Sequence, residues 1–243
     1  MNIDPRELQQ LSAVQPRLDL YAGIHKALRA FMADTLVALG RVDVEDASAV
    51  DRVTAQVVEQ LDLCARHVDH ENEFVHAAIE ARAPGASEAI AHEHDEHQRE
   101  IARLRAAAVA LREAARQVPP AACHALYGEL AVFVGENLLH MQVEESAHNA
   151  VLWARYADAE LAQLHDALVG SIPPAEMALV ARWLVPSMNH MERVGMLSDA
   201  RSKMPPPAFE ALLDVAVPHL HAAEWSKLAR ALGVPPVRGL VEA

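Results

Sequence analysis

Two cysteines, Cys64 and Cys123, are too few for a disulfide framework. A reduced, cytoplasmic setting is therefore expected. Aromatic residues make up only 4% of the chain, and β-branched residues are sparse beside Ala and Leu, which favours helix over strand. Basic residues are also scarce. Lys and Arg total 21 against 34 Asp and Glu, a formal net charge of −13. Neither a basic patch nor a Lys/Arg-rich run is present, so nucleic acid is not an expected partner. No apolar run approaches the roughly 18 residues that a membrane-spanning helix needs. The opening residues, Met1 to Glu7, carry neither the basic nor the apolar stretch of a secretory signal. A Gly-rich phosphate loop, a Cys-x-x-Cys pair and a persuasive Ser-His-Asp set are likewise missing.

What the chain does have is length, apolar content and histidine. Its 243 residues are 52% hydrophobic, ample for a buried core, and 14 of them are His. Apolar residues recur at helical spacing in four long stretches. The first runs from about Pro16 to Leu39 and is closed by Gly40. The second starts near Ser48, read as an N-cap, and stops before Pro84-Gly85. The third starts at Ser87 and stops at Pro119-Pro120, and the fourth runs from about Ala121 to Trp153. Long amphipathic helices with short connections predict an all-α, up-down-up-down antiparallel four-helix bundle over residues 1–155. Residues 156–243 are punctuated by prolines. Their apolar positions, among them Trp183, Leu184, Leu213 and Trp225, need burial, which predicts a helical C-terminal extension packed on the bundle.

Several histidines and glutamates fall on the apolar stripes. His25 lies four residues after Tyr21 and three before Leu28. His67 and Glu71 continue the stripe from Leu61 and Cys64. The third stripe steps through Ile90, His94, His97, Ile101 and Leu104. The fourth runs through Phe133, Asn137, His140, Glu144 and Ala147. Residues four apart stack one turn above each other on a helix face, so each His-x-x-x-Glu aims an imidazole and a carboxylate at the same part of the core. Unpaired buried carboxylates cost several kcal/mol each, and no Lys or Arg shares these stripes. A pair of metal ions resolves the conflict, and imidazole with carboxylate suits iron, although spacing alone does not choose iron over manganese or zinc. The ferritin-type pattern, Glu-x-x-His on two helices, is represented by Glu73/His76 and Glu145/His148. Straight-helix geometry puts Glu73 and His76 on the far side from His67 and Glu71. The first helix offers no Glu between Arg17 and Leu39. Both pairs are therefore expected to be solvated, as is His92.

The order His25, His67-Val68-Asp69-His70-Glu71, His97 and His140-Met141-Gln142-Val143-Glu144 resembles the hemerythrin-like (HHE cation-binding) family over roughly residues 16–155. The resemblance implies two Fe ions, oxo- or hydroxo-bridged, with Glu71 and Glu144 bridging and His25, His67, His97 and His140 as terminal ligands. It departs from the oxygen-carrying members, which have a His-x-x-x-His pair on the third helix and an Asp on the fourth. His94 is thus a fifth-ligand, outer-sphere or core candidate, His70 an outer-sphere candidate, and Tyr21 and Cys64 core residues. The implied function is binding of O₂ or a related small ligand such as NO, for O₂ binding, sensing or iron handling. Two alternatives stay open: a di-iron enzyme acting on nitric oxide or peroxide, and an iron- or oxygen-responsive interaction module. No membrane partner is expected, and a homo-oligomer is compatible with the sequence.

Overall fold

The structure is a computed structural model that describes residues 17–114 and 119–235. The described residues form helices joined by short connections, with no strand among them. Helix α1 spans Ala22–Gly40. Helix α2 comprises Ala47–His70, the π-helical turn Glu71–His76 and Ala77–Arg82. Helix α3 is Glu88–Glu113. Helix α4 comprises Pro120–Val143, a second π-helical turn Glu144–His148, and Asn149–Arg155. Shorter helices follow: α5 Asp158–Ser171, α6 Pro174–Ser187, α7 His190–Lys203, α8 Pro206–Ala216 and α9 Ala222–Leu232.

Local chemistry sets the helix ends. The apolar pattern of α1 extends back toward Pro16, itself outside the described residues, but the helix begins only at Ala22. There the Asp19 carboxylate accepts hydrogen bonds from the Tyr21 and Ala22 amides at 2.9 and 3.0 Å. For α2 the N-cap is Asp46 rather than Ser48, and its side chain accepts from the Ser48 amide at 2.8 Å. Gly40 closes α1 where a Cβ would sit 2.9 Å from the Tyr127 ring, so the close helix approach requires glycine. Gly233 ends α9 in the left-handed region, φ 64°.

Packing among the four long helices forms a cycle: α1 on α2, α2 on α3, α3 on α4, and α4 on α1. Their shared core includes Leu28, Phe31, Val57, Leu61, Leu104, Leu126, Leu130 and Phe133. Helix α6 lies against α1 and contributes Val180 to that core. Its Trp183 stacks on Phe31 with ring centroids 4.2 Å apart and 13° between planes. Polar contacts link the neighbouring helices: His70 and Arg66 of α2 meet Glu176 of α6 at 3.0 and 3.2 Å, and Lys26 of α1 meets Glu192 of α7 at 2.5 Å. Helices α7, α8 and α9 enclose a second apolar cluster with the end of α6, from Val185, Leu197, Phe209, Leu213 and Leu228. A third, of Tyr21, Val75, Ile79, Leu152 and Leu161, lies beyond the π-turns. No single described helix is long and apolar enough to cross a membrane. Helices α5 and α6 reach that composition only as a pair, and the pair is bent by 116°.

Candidate metal centre

Both π-turns start at an inward glutamate, Glu71 on α2 and Glu144 on α4. Between those helices lies a pocket of polar atoms within an apolar core. Glu71 and Glu144 are 3% and 0% exposed, and His25, His94, His140, His76 and His148 are buried around them. His67 is nearly so.

Two groups of donor atoms share the two carboxylates. In the first, His25 Nε2 is 3.5 Å from both Glu71 Oε1 and Glu144 Oε2, and His67 Nε2 is 3.1 Å from Glu71 Oε1. In the second, His94 Nε2 is 3.5 Å from Glu71 Oε2 and 3.3 Å from Glu144 Oε1, and His140 Nε2 is also 3.3 Å from Glu144 Oε1. Each glutamate therefore turns one oxygen to each group. A third set, His76, Glu144 and His148, meets at the same carboxylate.

The outer nitrogens are tied down. His25 Nδ1 donates to Glu145 Oε1 at 2.9 Å, His140 Nδ1 to Glu93 Oε2 at 2.7 Å, and His94 Nδ1 to Asn72 Oδ1 at 2.8 Å. Carboxylate and amide oxygens accept only, so the Nδ1 atoms carry hydrogen and each neutral ring turns a bare Nε2 inward. His94 and His140 then face each other Nε2 to Nε2 at 3.1 Å. Two lone pairs do not meet at that distance unless a proton or a metal cation lies between them. Both oxygens of Glu71 and of Glu144, with the Nε2 atoms of His25, His67, His76 and His148, are buried without a hydrogen-bond partner. Native proteins leave few such atoms. Their concentration around one point makes this a candidate cation site.

The pKa shifts carry the same message. Burial favours neutral His25, but the hydrogen bond to Glu145 and the nearby negative charge of Glu71 outweigh it and lift the group to about 9. Burial also opposes a charged Glu71, yet His67 and His25 hold it well below the usual carboxylate range. His76 and His97 fall to about 4, first through burial and then through neighbouring imidazoles. Glu145, bonded to His25 and Arg29, falls to about 2. Without metal, a proton on His25 offsets part of the charge of the carboxylates.

A pH signature follows for the metal-free chain. His25 is raised from about 6.5 to about 9, so its stabilisation is complete below about 6.5 and is lost as pH rises through 9. His76 and His97 are depressed, so the unfolded chain takes up their protons first and stability is lost as pH falls from about 6.5 through 4. Urea denaturation of the chelator-treated protein is expected to show a maximum near pH 6.5, with declines at about pH 5 and 8.5. A flat profile across that range would contradict this proton inventory. A second expected result concerns His25. Glu145→Ala removes its outer partner and should weaken metal binding by about 10–100-fold, measured against a chelator of known affinity.

The residues expected from sequence distribute unevenly. His25, His67, Glu71, His140 and Glu144 come together, and His94 joins them. His97 is inward and buried, but lies outside the donor groups. Its ring packs edge-on against His140, 4.6 Å between centroids, and against Phe133, and its Nδ1 has no partner. His76 and His148 were expected to be solvated; they are 5% and 2% exposed. A π-turn bonds i to i+5, so His76 lies one turn above Glu71 instead of on the far side. His148 extends the four-residue series His140, Glu144, a signal visible in the sequence. Of their companions, Glu73 is exposed and Glu145 binds His25 from outside. Tyr21 donates to or accepts from His148 Nδ1 at 3.0 Å. His92 is exposed, and His70 bonds to Glu176 of α6. Cys64 is a core residue: burial pushes its thiol up to about 12, and Gln60 donates to its sulfur.

No protein-family model, no curated protein and no solved structure matches the chain. The described residues define an all-helical protein with buried His/Glu groups at metal-binding distances.

Proposed function

We propose that the chain is a hemerythrin-like, non-haem di-iron protein that binds O₂ or a related small ligand. The observation that carries this reading is the set of buried, unpartnered carboxylate oxygens and imidazole nitrogens around Glu71 and Glu144. The donor set fits a metal pair. His25 and His67 with one oxygen of each glutamate would hold one ion, and His94 and His140 with the other oxygens the second. Carboxylate and imidazole together suit iron, and the resemblance to the hemerythrin-like family is what selects it here. In this reading the four long helices are an up-down-up-down antiparallel bundle, residues 1–155, on which the extension, residues 156–243, is packed through Trp183, Glu176 and Glu192.

When bound, an iron pair supplies the electrons and open coordination positions that chemistry with O₂ requires. The chain's own contribution is fourfold. Glu71 and Glu144 provide the negative charge that retains the cations. Glu145, Glu93 and Asn72 hold His25, His140 and His94 with Nε2 inward. The apolar layers of Phe133 and Leu130 on one side, and of Val75, Ile79 and Leu152 on the other, exclude water. Tyr21 keeps its hydroxyl proton, because burial and then Glu71 and Glu144 raise its pKa well above the usual value.

Metal content and the absorption spectrum of the same sample in air test the proposal. About two irons per chain with near-ultraviolet oxo-bridge bands are expected after anaerobic Fe(II) loading. A single zinc, or no metal after such loading, would overturn it. Cycling between argon and O₂ tests the ligand: a reversible optical change is expected. Irreversible bleaching, or rapid consumption of NO or peroxide instead, would replace O₂ binding with the enzymatic alternative.

A further inference from the structure

The metal pair proposed above accounts for His25, His67, Glu71, His94, His140 and Glu144, but leaves two buried imidazoles without a task. His76 and His148 enter from different helices, each at the end of a π-turn. Their rings meet edge to face, 5.1 Å between centroids and 85° between planes. Both Nε2 atoms are buried and unpartnered, and a ring nitrogen of each histidine lies within 4.8 Å of one on the other and of a Glu144 oxygen. A hydrogen bond to Glu144 would have satisfied either one, yet neither is made. The gap suits a cation: donor atoms around a tetrahedral ion with bonds of about 2.0–2.2 Å lie roughly 3.3–3.6 Å apart, at the limit of a hydrogen bond's reach.

We infer that His76, His148 and Glu144 form a third metal position, for a divalent first-row transition cation, beside the proposed pair. The inference rests on the pair reading, because the position shares Glu144 with it. Two imidazoles and one carboxylate are a donor set that such cations accept with positions to spare. Orientation is provided: Tyr21 Oη lies 3.0 Å from His148 Nδ1 and fixes the ring, and with the hydrogen on Nδ1 the hydroxyl oxygen accepts it and Nε2 is free to bind a cation. His76 is fixed by stacking on His94, 4.7 Å between centroids and 5° from parallel. Surplus acidity is available to the added charge. Glu145 and Glu93 stand one imidazole outward from the cluster, and Arg29 pairs with Glu145. Because Glu144 already serves both ions of the pair, the third position is the weakest and fills last.

Zn(II) titrated into the metal-free, full-length chain, followed by ¹⁵N-histidine long-range NMR, separates the positions without any substitution. The first two equivalents should shift Nε2 of His25, His67, His94 and His140. A third should shift Nε2 of His76 and His148. His148→Gln should lower the saturating stoichiometry from three to two while leaving the first two equivalents unchanged. The inference is overturned if the third equivalent leaves His76 and His148 untouched. It is equally overturned if they shift with the first two, which would make them ligands of the pair. If no site histidine shifts at any stage, the pair reading fails as well, a result distinct from either of those.

Discussion

Glu144→Ala should empty the site. Glu144 belongs to every one of the three donor groups, and both its oxygens are engaged. Removing it leaves each group with imidazoles facing one another, and only Glu71 to offset the charge of two cations. Metal per chain after anaerobic loading and desalting is expected to fall from about two to below about one tenth of that, with helical circular dichroism retained. Glu71→Ala should lose the pair too, but keeps the His76–Glu144–His148 set. Neighbouring Glu145→Ala should only weaken binding, as argued from its bond to His25. If Glu144→Ala retained two ions with an unchanged spectrum, the assignment of donors would be wrong throughout.

Phe31→Ala should produce the largest loss of stability. Phe31 is 1% exposed and belongs to the main core, where its ring also takes the stack from Trp183 of α6. Truncating a buried Phe costs about 3–5 kcal/mol, a transfer term plus a cavity term. That is much of the roughly 5–15 kcal/mol that holds a typical domain folded. The effect should exceed that expected of a single core substitution elsewhere in α1, because the same truncation removes the platform for Trp183. Urea denaturation of the metal-free chain measures it. Val132→Ala, on the outer face of α4 at 60% exposure, should stay within about 0.5 kcal/mol and serves as the control. A Phe31→Ala cost below about 1 kcal/mol would mean the α1–α6 seam is not a stability element.

The helical reading came from periodicity, and periodicity is strong where one face is buried over many turns. Val50, Val53, Val57, Leu61, Cys64 and Val68 on α2 are all buried, as a four-three step requires. The same rule turned His67, Glu71, His140 and Glu144 inward. It was blind to differences between residues on one stripe. His94 and His97 are three apart and both buried, and only the facing helices distinguish them. Asn72 anchors His94, whereas His97 meets Phe133 and the side of the His140 ring. Nor does a rule of about 3.6 residues per turn anticipate a turn with i to i+5 bonds, so His76 was placed on the wrong face. Helix starts were set by short polar contacts, Asp19 to Tyr21 and Asp46 to Ser48, that an apolar pattern does not register.

At the level of the gene, each π-turn amounts to one codon. Deleting a single residue strictly between Glu71 and His76 would let α2 run straight with His76 four residues after Glu71, still on the same face, because the π-turn fits one extra residue into a turn. Lost from the straight part of α2 instead, the same single residue has no such slack, and side chains on either side of the gap would be turned by about 100° relative to one another. Val75 and Ile79, which share a layer with Leu152, would then no longer face the same way as the core before the turn. A reading-frame-preserving loss of three nucleotides is therefore absorbed inside a π-turn and damaging in the straight part of the same helix. A far longer indel in the connection between α1 and α2, whose residues are largely exposed, would be absorbed.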